Sequence, residues 1–409
     1  MPVKLGEYQV AMGWMKAAVA ALLAVFLIGP AGAQSSKVAA TTPAEAALDR
    51  AYEAGSKEDY VAARKDYALA CDAGLPLACY NLGILHDFGK GGPENNEEAN
   101  RLYVIACDAD EPSACNNLGS YYQYGEVVPK DLAKAKALYE KACRGKDGLG
   151  CTNLGDMIAP DDDKVPLDDA RRKQAYEYYA MACGMDNPLG CLRMGYGLAT
   201  GKGTKKDFKA AYPAYTKACN GDESAACYNL GLIHENGQGV PKSLTYAMGF
   251  YDKACTLEDS DGCAVMGDIY FSGDGVTKDV LKGASYLDKA CNLDRAESCN
   301  ELGHYYIDEE TLPRNLEEAN RLFTKSCELD DAEGCAYRAW PVMLLSEEKL
   351  LDGSAIAEAK TWVAQSNKLA PDNEAAKTIS EAIVKIEKLV EEQKKSPVQK
   401  SLTEKVFGR

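Results

Sequence analysis

Small, aromatic and thiol side chains recur four residues apart along most of this chain, and the triplet itself returns about every 36 residues. It reads Ala63-Tyr67-Cys71, Ala99-Tyr103-Cys107, Ala135-Tyr139-Cys143, Ala175-Tyr179-Cys183, Ala211-Tyr215-Cys219 and Ala247-Tyr251-Cys255. Gly283-Leu287-Cys291 and Ala319-Phe323-Cys327 then keep the spacing with changed side chains. Residues four apart share one helical stripe, so each triplet predicts an amphipathic helix, termed helix B. A shorter helix A is predicted around Leu82-Gly83, Leu118-Gly119, Leu154-Gly155, Met194-Gly195, Leu230-Gly231, Met266-Gly267 and Leu302-Gly303. The glycine of each pair lets helix B approach closely. Gly89, Gly125, Gly201, Gly237 and Gly273 stand where helix A should stop. In the third repeat the segment APDDDKVPLDD replaces that turn.

The cysteines obey the same period. They pair as Cys71/Cys79, Cys107/Cys115, Cys143/Cys151, Cys183/Cys191, Cys219/Cys227, Cys255/Cys263, Cys291/Cys299 and Cys327/Cys335, each a C-x7-C. A fixed period of this length marks a helical repeat array. On one unbroken helix the two cysteines of a pair would stand ~12 Å apart, and a disulfide needs Cα atoms within about 7 Å. The helix must therefore break between them, and Gly74, Pro76, Pro112, Gly145 and Pro188 are the expected breakers. Each bridge then ties the end of one helix B to the start of the next helix A. None of the sixteen cysteines is left over, which in an exported chain points to eight closed bridges. Zinc is disfavoured, because structural zinc sites use C-x2–4-C spacing.

The first residues read as an address. Ala17 to Ile28 is an apolar run preceded by Lys16, followed by Gly29-Pro30 and a small-residue Ala31-Gly32-Ala33 site. That order is a secretory signal peptide with cleavage after Ala33, and twelve residues fall short of the roughly 20 a spanning helix needs. Met1, Met12 and Met15 are all candidate starts. The expected destination is the periplasm or the exterior. Composition then narrows the partners. Lys plus Arg total 46 against 62 acidic residues, a net charge of −16, which excludes the basic footprint of a nucleic-acid or anionic-membrane binder.

The pattern KAC-x7-C-x-N-L-G-x-x-Y-x-x-G-x-G-V, seen in KACNGDESAACYNLGLIHENGQGV at 217–240, resembles Sel1-like repeats of the tetratricopeptide-like superfamily. The paired cysteines resemble the cysteine-rich Helicobacter members, sometimes labelled β-lactamase-like. The resemblance implies an all-α, right-handed α-solenoid with a concave face lined by the A helices. The expected layout is a signal peptide at 1–33, a disordered linker at 34–43 and a capping hairpin at 44–75. The array follows at 76–340, then a tetratricopeptide-like hairpin cap at 341–393 and a disordered tail at 394–409.

Candidate chemistry is sparse. The β-lactamase label calls for S-x-x-K, S-D-N and K-T-G. One S-x-x-K exists, Ser346 to Lys349, without the other two. His86 and His234 sit in the repeat's tyrosine column, four repeats apart, and read as packing. Asp161-Asp162-Asp163, with Asp168 and Asp169, lacks the order of a calcium loop. No C-x-x-C-H motif supports haem, the third rival reading. No cofactor or metal is expected. What remains is a binding surface. By analogy with tetratricopeptide grooves, Tyr80, Ile84, Tyr196, Tyr228, Leu232, Phe271 and His304 would face the concave side, with Phe88 and Tyr124 at its edge. Asn81, Asn117, Asn153 and Asn229 stand two residues after the second cysteine. Such a column either binds the backbone of an extended peptide or packs within the repeat. The leading expectation is a monomeric adaptor for a protein or peptide; the alternatives are a β-lactamase-like hydrolase and a haem or assembly factor.

Overall fold

The computed structural model describes residues 42–160, 168–308, 311–344 and 347–395. The expected signal peptide, residues 34–41 of the linker, Asp161–Asp163 and residues 396–409 lie outside them. The chain divides into two compact units between Ala226 and Cys227. Among the described residues of both, helices follow one another in pairs without strands.

The first unit opens with α1 (Pro43–Ser56) and α2 (Tyr60–Asp72). Repeats follow as α3 (Pro76–Asp87) with α4 (Asn96–Asp108), and α5 (Pro112–Tyr124) with α6 (Leu132–Arg144). Then come α7 (Gly148–Ile158) with α8 (Asp169–Gly184), and α9 (Pro188–Thr200) with α10 (Phe208–Asn220). The division falls within α11 (Ser224–Asn236). The second unit continues with α12 (Leu244–Thr256), α13 (Ser260–Ser272), α14 (Val280–Asn292), α15 (Ala296–Ile307) and α16 (Leu316–Glu328). It closes with α17 (Ala332–Tyr337), α18 (Ala339–Leu344), α19 (Glu347–Asp352), α20 (Ser354–Leu369) and α21 (Glu374–Lys395). This is an α-solenoid of helical hairpins. In the eighth repeat, where Arg338-Ala339 replaces Leu-Gly, helix A is split into α17 and α18 at Arg338.

The core is the stripe read from the sequence. Tyr67, Tyr103, Tyr139, Tyr215, Tyr251, Leu287 and Phe323 are buried to within 1%. Four residues earlier Ala63, Ala99, Ala135, Ala211, Ala247 and Ala319 are equally enclosed, and a buried Gly283 precedes Leu287. A Cβ placed on Gly83 would lie 2.7 Å from Cε1 of Tyr103, and on Gly195 2.7 Å from Tyr215. The glycine of each Leu-Gly pair is thus the socket for the next aromatic ring. Such interlocking is what close-packed interiors require.

The helix breaks are built differently from the expectation. The left-handed residue is the third after the first cysteine: Gly74, Asp110, Lys146, Asp186, Asp222, Glu258, Asp294 and Asp330 all have positive φ. Gly145 has φ −74° and is only the C-cap. Pro76, Pro112 and Pro188 begin the next helix A, where a missing N–H costs nothing.

Disulfides span these turns. In the first unit they are Cys71–Cys79, Cys107–Cys115, Cys143–Cys151 and Cys183–Cys191, with Cα atoms 4.4–4.7 Å apart. In the second unit Cys255–Cys263, Cys291–Cys299 and Cys327–Cys335 have the same 4.4–4.7 Å separation. Cys219 and Cys227 are also disulfide-bonded, and no described cysteine is free. Within each unit a bridge joins the last turn of a helix B to the first turn of the next helix A, as Cys107 of α4 is joined to Cys115 of α5.

Two further columns hold the hairpins. Asp59, Asn95, Asp131, Asp168, Asp207, Ser243, Asp279 and Asn315 N-cap the B helices, their side chains accepting from backbone N–H groups of the first turn. Several also donate their own N–H back to helix A, as Asp131 does to the Tyr122 carbonyl at 2.8 Å. The lysine of the KAC motif reaches the preceding turn. Lys141 Nζ donates to the Cys107 carbonyl at 2.7 Å and pairs with Asp110 at 2.9 Å. Lys217 repeats both contacts, with Asp186 at 2.8 Å and the Cys183 carbonyl at 3.5 Å, while Lys325 pairs with Asp294 at 3.1 Å and donates to the Asn292 carbonyl.

Candidate binding surface of the A helices

In the first unit successive A helices adjoin, α5 against α7 and α7 against α9, so their outward side chains form one face. The bridges lie beneath it. Cys115, Cys191, Cys263 and Cys299, the helix A members of their pairs, are all 0% exposed. Cys115 Sγ lies 3.6 Å from the Cys107 carbonyl oxygen, and Cys191 and Cys263 stand 3.7 Å from those of Cys183 and Cys255. A bridged sulfur carries no proton, so these are packing contacts rather than hydrogen bonds. The cysteines therefore staple the array and offer a ligand no thiolate, and the bridged pairs on this face are buried apart from the half-buried Cys71.

The asparagine column lies where the A-helix face meets the repeat junction. Asn81 is 3% exposed, and its Nδ2 donates to the Tyr52 hydroxyl of α1 at 3.2 Å. Asn153 Nδ2 donates to Asn116 Oδ1 at 2.8 Å, and Asn116 in turn donates to Asn117 Oδ1 at 3.3 Å. Arg193 holds the same register one repeat on, its Nε 3.1 Å from Asp156 Oδ1. Asn229, in the second unit, is 1% exposed. The column therefore links one helix A to the preceding one. Asn117 and Asn153 remain half-buried, with surface left for a ligand.

The aromatic candidates divide in the same way. Tyr80, Tyr124 and Tyr196 are half-buried on the A helices. Burial pushes the Tyr80 hydroxyl above its ordinary range, with Asp147 and Glu111 adding to the effect. Ser113 donates to Asp147 at 2.8 Å, and burial raises the Asp147 carboxyl despite that bond. Tyr124 is shifted up by burial first and by Asp156 second. Tyr196 accepts from Lys202 Nζ at 3.0 Å, with the ammonium also 5.2 Å from the ring centre. Ile84 is buried, and Phe88 is half-buried.

In the second unit Tyr228, Leu232 and Phe271 are buried, Phe271 stacking on Tyr305 with ring centres 4.2 Å apart. His304 is half-buried, edge-on to Tyr337 at 4.2 Å, and burial lowers its pKa. It lines a groove of about 490 Å³ where α15 and α17 meet Asn373, the residue before α21. Four carboxylates share that groove: Glu297, Glu301, Asp331 and Glu333. Sequence reading missed it, because Asn373 comes from the C-terminal hairpin, outside the repeat register.

Among the described residues no group of three or more His, Cys, Asp or Glu side chains is placed to hold a metal. His234 stacks on Phe250, ring centres 5.6 Å apart, and burial with the Arg64 charge lowers the His86 pKa. Asp168 is a helix cap, and Asp169 pairs with Arg172. Ser346 lies outside the described residues. No described helix is long and apolar enough to cross a membrane.

The Sel1 repeat model matches residues 76–111, 112–147, 149–187, 188–222, 224–259, 260–294 and 296–331. Among solved structures the chain is similar to c5321 of uropathogenic Escherichia coli, a protective antigen displaying an SLR fold. There the identity is 24% and the TM-score 0.60, over 84% of this chain and 72% of that one. A Sel1 repeat protein from Oxalobacter formigenes is 22% identical with a TM-score of 0.52, over 65% of this chain and 76% of that one. No curated protein matches. Bridges at every repeat junction are the chemistry of an oxidising compartment. With seven matched repeats making up most of its length, the chain belongs to the Sel1-repeat family.

Proposed function

We propose that the chain is an exported, disulfide-stapled scaffold that binds a protein or an extended peptide in the groove lined by its A helices. The observation that carries this reading is the run of adjoining A helices in the first unit, with half-buried tyrosines and amides at its surface. Aromatic rings contribute contact area at low entropic cost, and amides both donate and accept. Peptide contact falls to Asn117, Asn153, Tyr80, Tyr124 and Tyr196. The net charge of −16 favours a neutral or basic partner.

Affinity capture from the native cell envelope tests the reading. Wild type is run beside Asn117→Ala/Asn153→Ala, which spares the buried Asn81. A partner retained by wild type and lost by the variant supports the groove, and equal retention removes these amides from it. Export is tested on the same material. A mature protein beginning at Gln34 in the periplasmic or secreted fraction supports cleavage after Ala33, and full-length protein in the membrane fraction refutes it.

A further inference from the structure

The first bridge of the array differs from the others. Cys71 is half-buried, whereas the other fifteen cysteines are all 6% exposed or less. It belongs to α2, and among the described residues no earlier helix B lies over it.

Three ties that hold later turns are also missing at this one. Lys141 and Lys217 reach back to the Cys107 and Cys183 carbonyls. In that register the residue facing the Cys71 turn is Ile105, which has no donor and stands 40% exposed. Asp147, Asn187, Asp259 and Asp331 cap the helix A after their turns, whereas Leu75 gives α3 no side-chain cap. The left-handed residue is Gly74, where every other turn has a side chain. A Cβ on Gly74 would meet nothing within 4 Å, so this turn is open on that side and freer to change conformation. The Cys143 turn separates exposure from the lysine. It too has an apolar residue, Met181, in the lysine register, yet Cys143 is 3% exposed.

Thiol–disulfide exchange needs a thiolate to reach a bridged sulfur, so access decides which bridge reacts. We infer that Cys71–Cys79 is a redox switch, opened by an external dithiol while the buried bridges stay closed, and that its opening loosens the hairpin α1–α2 from the array. The attacking thiolate bonds to Cys71 Sγ, the S–S bond breaks, and its electron pair leaves on Cys79 Sγ. Cys79 lies in the first turn of α3, where the helix N-terminus favours a thiolate as leaving group. The second thiol of the reductant then attacks the mixed disulfide and displaces Cys71. The reductant ends as a disulfide, and Cys71 and Cys79 together take up two electrons and two protons. The hairpin keeps hydrogen bonds such as Asn81 to Tyr52 and Arg64 to the Pro93 carbonyl, but loses its staple.

The test treats the full oxidised chain with dithiothreitol in native buffer and quenches it with N-ethylmaleimide over a time course. Peptide mass spectrometry follows each cysteine pair. Cys71 and Cys79 are expected to take the label about tenfold or more faster than Cys143 and Cys151, the buried pair whose turn also lacks the lysine. Amide hydrogen exchange of the protein reduced at this bridge reads the consequence. Exchange should quicken in α1 and α2 and stay unchanged in α5 and α6, and Cys71→Ser/Cys79→Ser should reproduce that pattern. Simultaneous opening of all the bridges, or earlier labelling of any other pair, overturns the inference. Unaltered exchange in α1 and α2 once the bridge is open overturns it as well. The switch needs no ligand in the groove, so these failures leave the scaffold reading untouched.

Discussion

Substituting Gly119 by alanine tests the packing rule on which the array depends. The new Cβ would lie 2.8 Å from Cε1 and 2.9 Å from Cδ1 of Tyr139. The ring has nowhere to go, being 1% exposed. Its hydroxyl donates to Gln123 Oε1 at 2.7 Å and lies 3.0 Å from Ser120 Oγ. Overpacking of this kind costs about 1–3 kcal/mol, and exchanging glycine for alanine in a helix returns about 0.5–1 kcal/mol. A net loss of about 1–2 kcal/mol follows, a five- to thirtyfold shift in a local opening equilibrium. Repeats unfold by neighbouring units, so the readout is hydrogen exchange of amides in α5 and α6 rather than a single melting temperature. Gly249→Ala in α12 is the control, since nothing lies within 4 Å of its added Cβ. It should slow exchange locally. Unchanged or slower exchange in α5 and α6 of Gly119→Ala would refute the claim that these glycines are sockets.

Replacing Cys143 and Cys151 by serine should raise local opening at the α6–α7 turn by about 2–3 kcal/mol, the chain-entropy value for so short a loop, as read by proteolysis of that turn. Lys217→Met should cost less than about 1 kcal/mol, and less still in high salt. Lys217 and Asp186 are 54% and 83% exposed, so a larger loss in denaturant melts would mean that the carbonyl bond to Cys183 dominates. Burial lifts the Glu223 carboxyl to about 7 against the pull of Arg193. The folded state therefore holds a proton that the unfolded state releases near 4.5, and stability is lost as pH rises between those values. Glu223→Gln should flatten that decline and gain about 1–3 kcal/mol at pH 8. Parallel pH profiles for the two proteins would show that Glu223 is solvated.

Some of this molecule was readable because its information is local and periodic. Helix B and the bridges depend on spacings of four and eight residues, which the helical period converts directly into a face or a distance, while the socket glycine was legible through its recurrence at a fixed place in each repeat, as Gly83 stands before Tyr103 and Gly119 before Tyr139. The N-cap column was equally local, a Ser, Asp or Asn twelve residues before the first cysteine in every repeat but the one of Cys183, where Asp168 stands fifteen before it, and a capping rule alone would have found it. The break residues were harder. Proline and glycine draw attention as breakers, whereas the left-handed position is filled mostly by aspartate, such as Asp110 and Asp186. Aspartate tolerates that conformation better than most residues with a Cβ.

The remaining features depend on pairs 29 to 37 residues apart, and no spacing within a repeat encodes them. Whether Asn81 faces a ligand or Tyr52 is decided by how far one helix A rotates against the previous one, a small angle set by the summed packing of both repeats. The same angle makes Asn153 a partner of Asn116, and lets Arg193 substitute for asparagine by pairing with Asp156. That substitution is informative. A column meant only for peptide backbone would be spoiled by a guanidinium, whereas a column meant for repeat junctions needs only a donor of sufficient reach. The asparagines thus serve the array first, and the proposed peptide contacts rest on the surface that Asn117 and Asn153 leave open and on the half-buried Tyr80, Tyr124 and Tyr196 beside them. Changes confined to Tyr124 and Tyr196 would test ligand contact with the Asn81, Asn153 and Arg193 links between helices left in place.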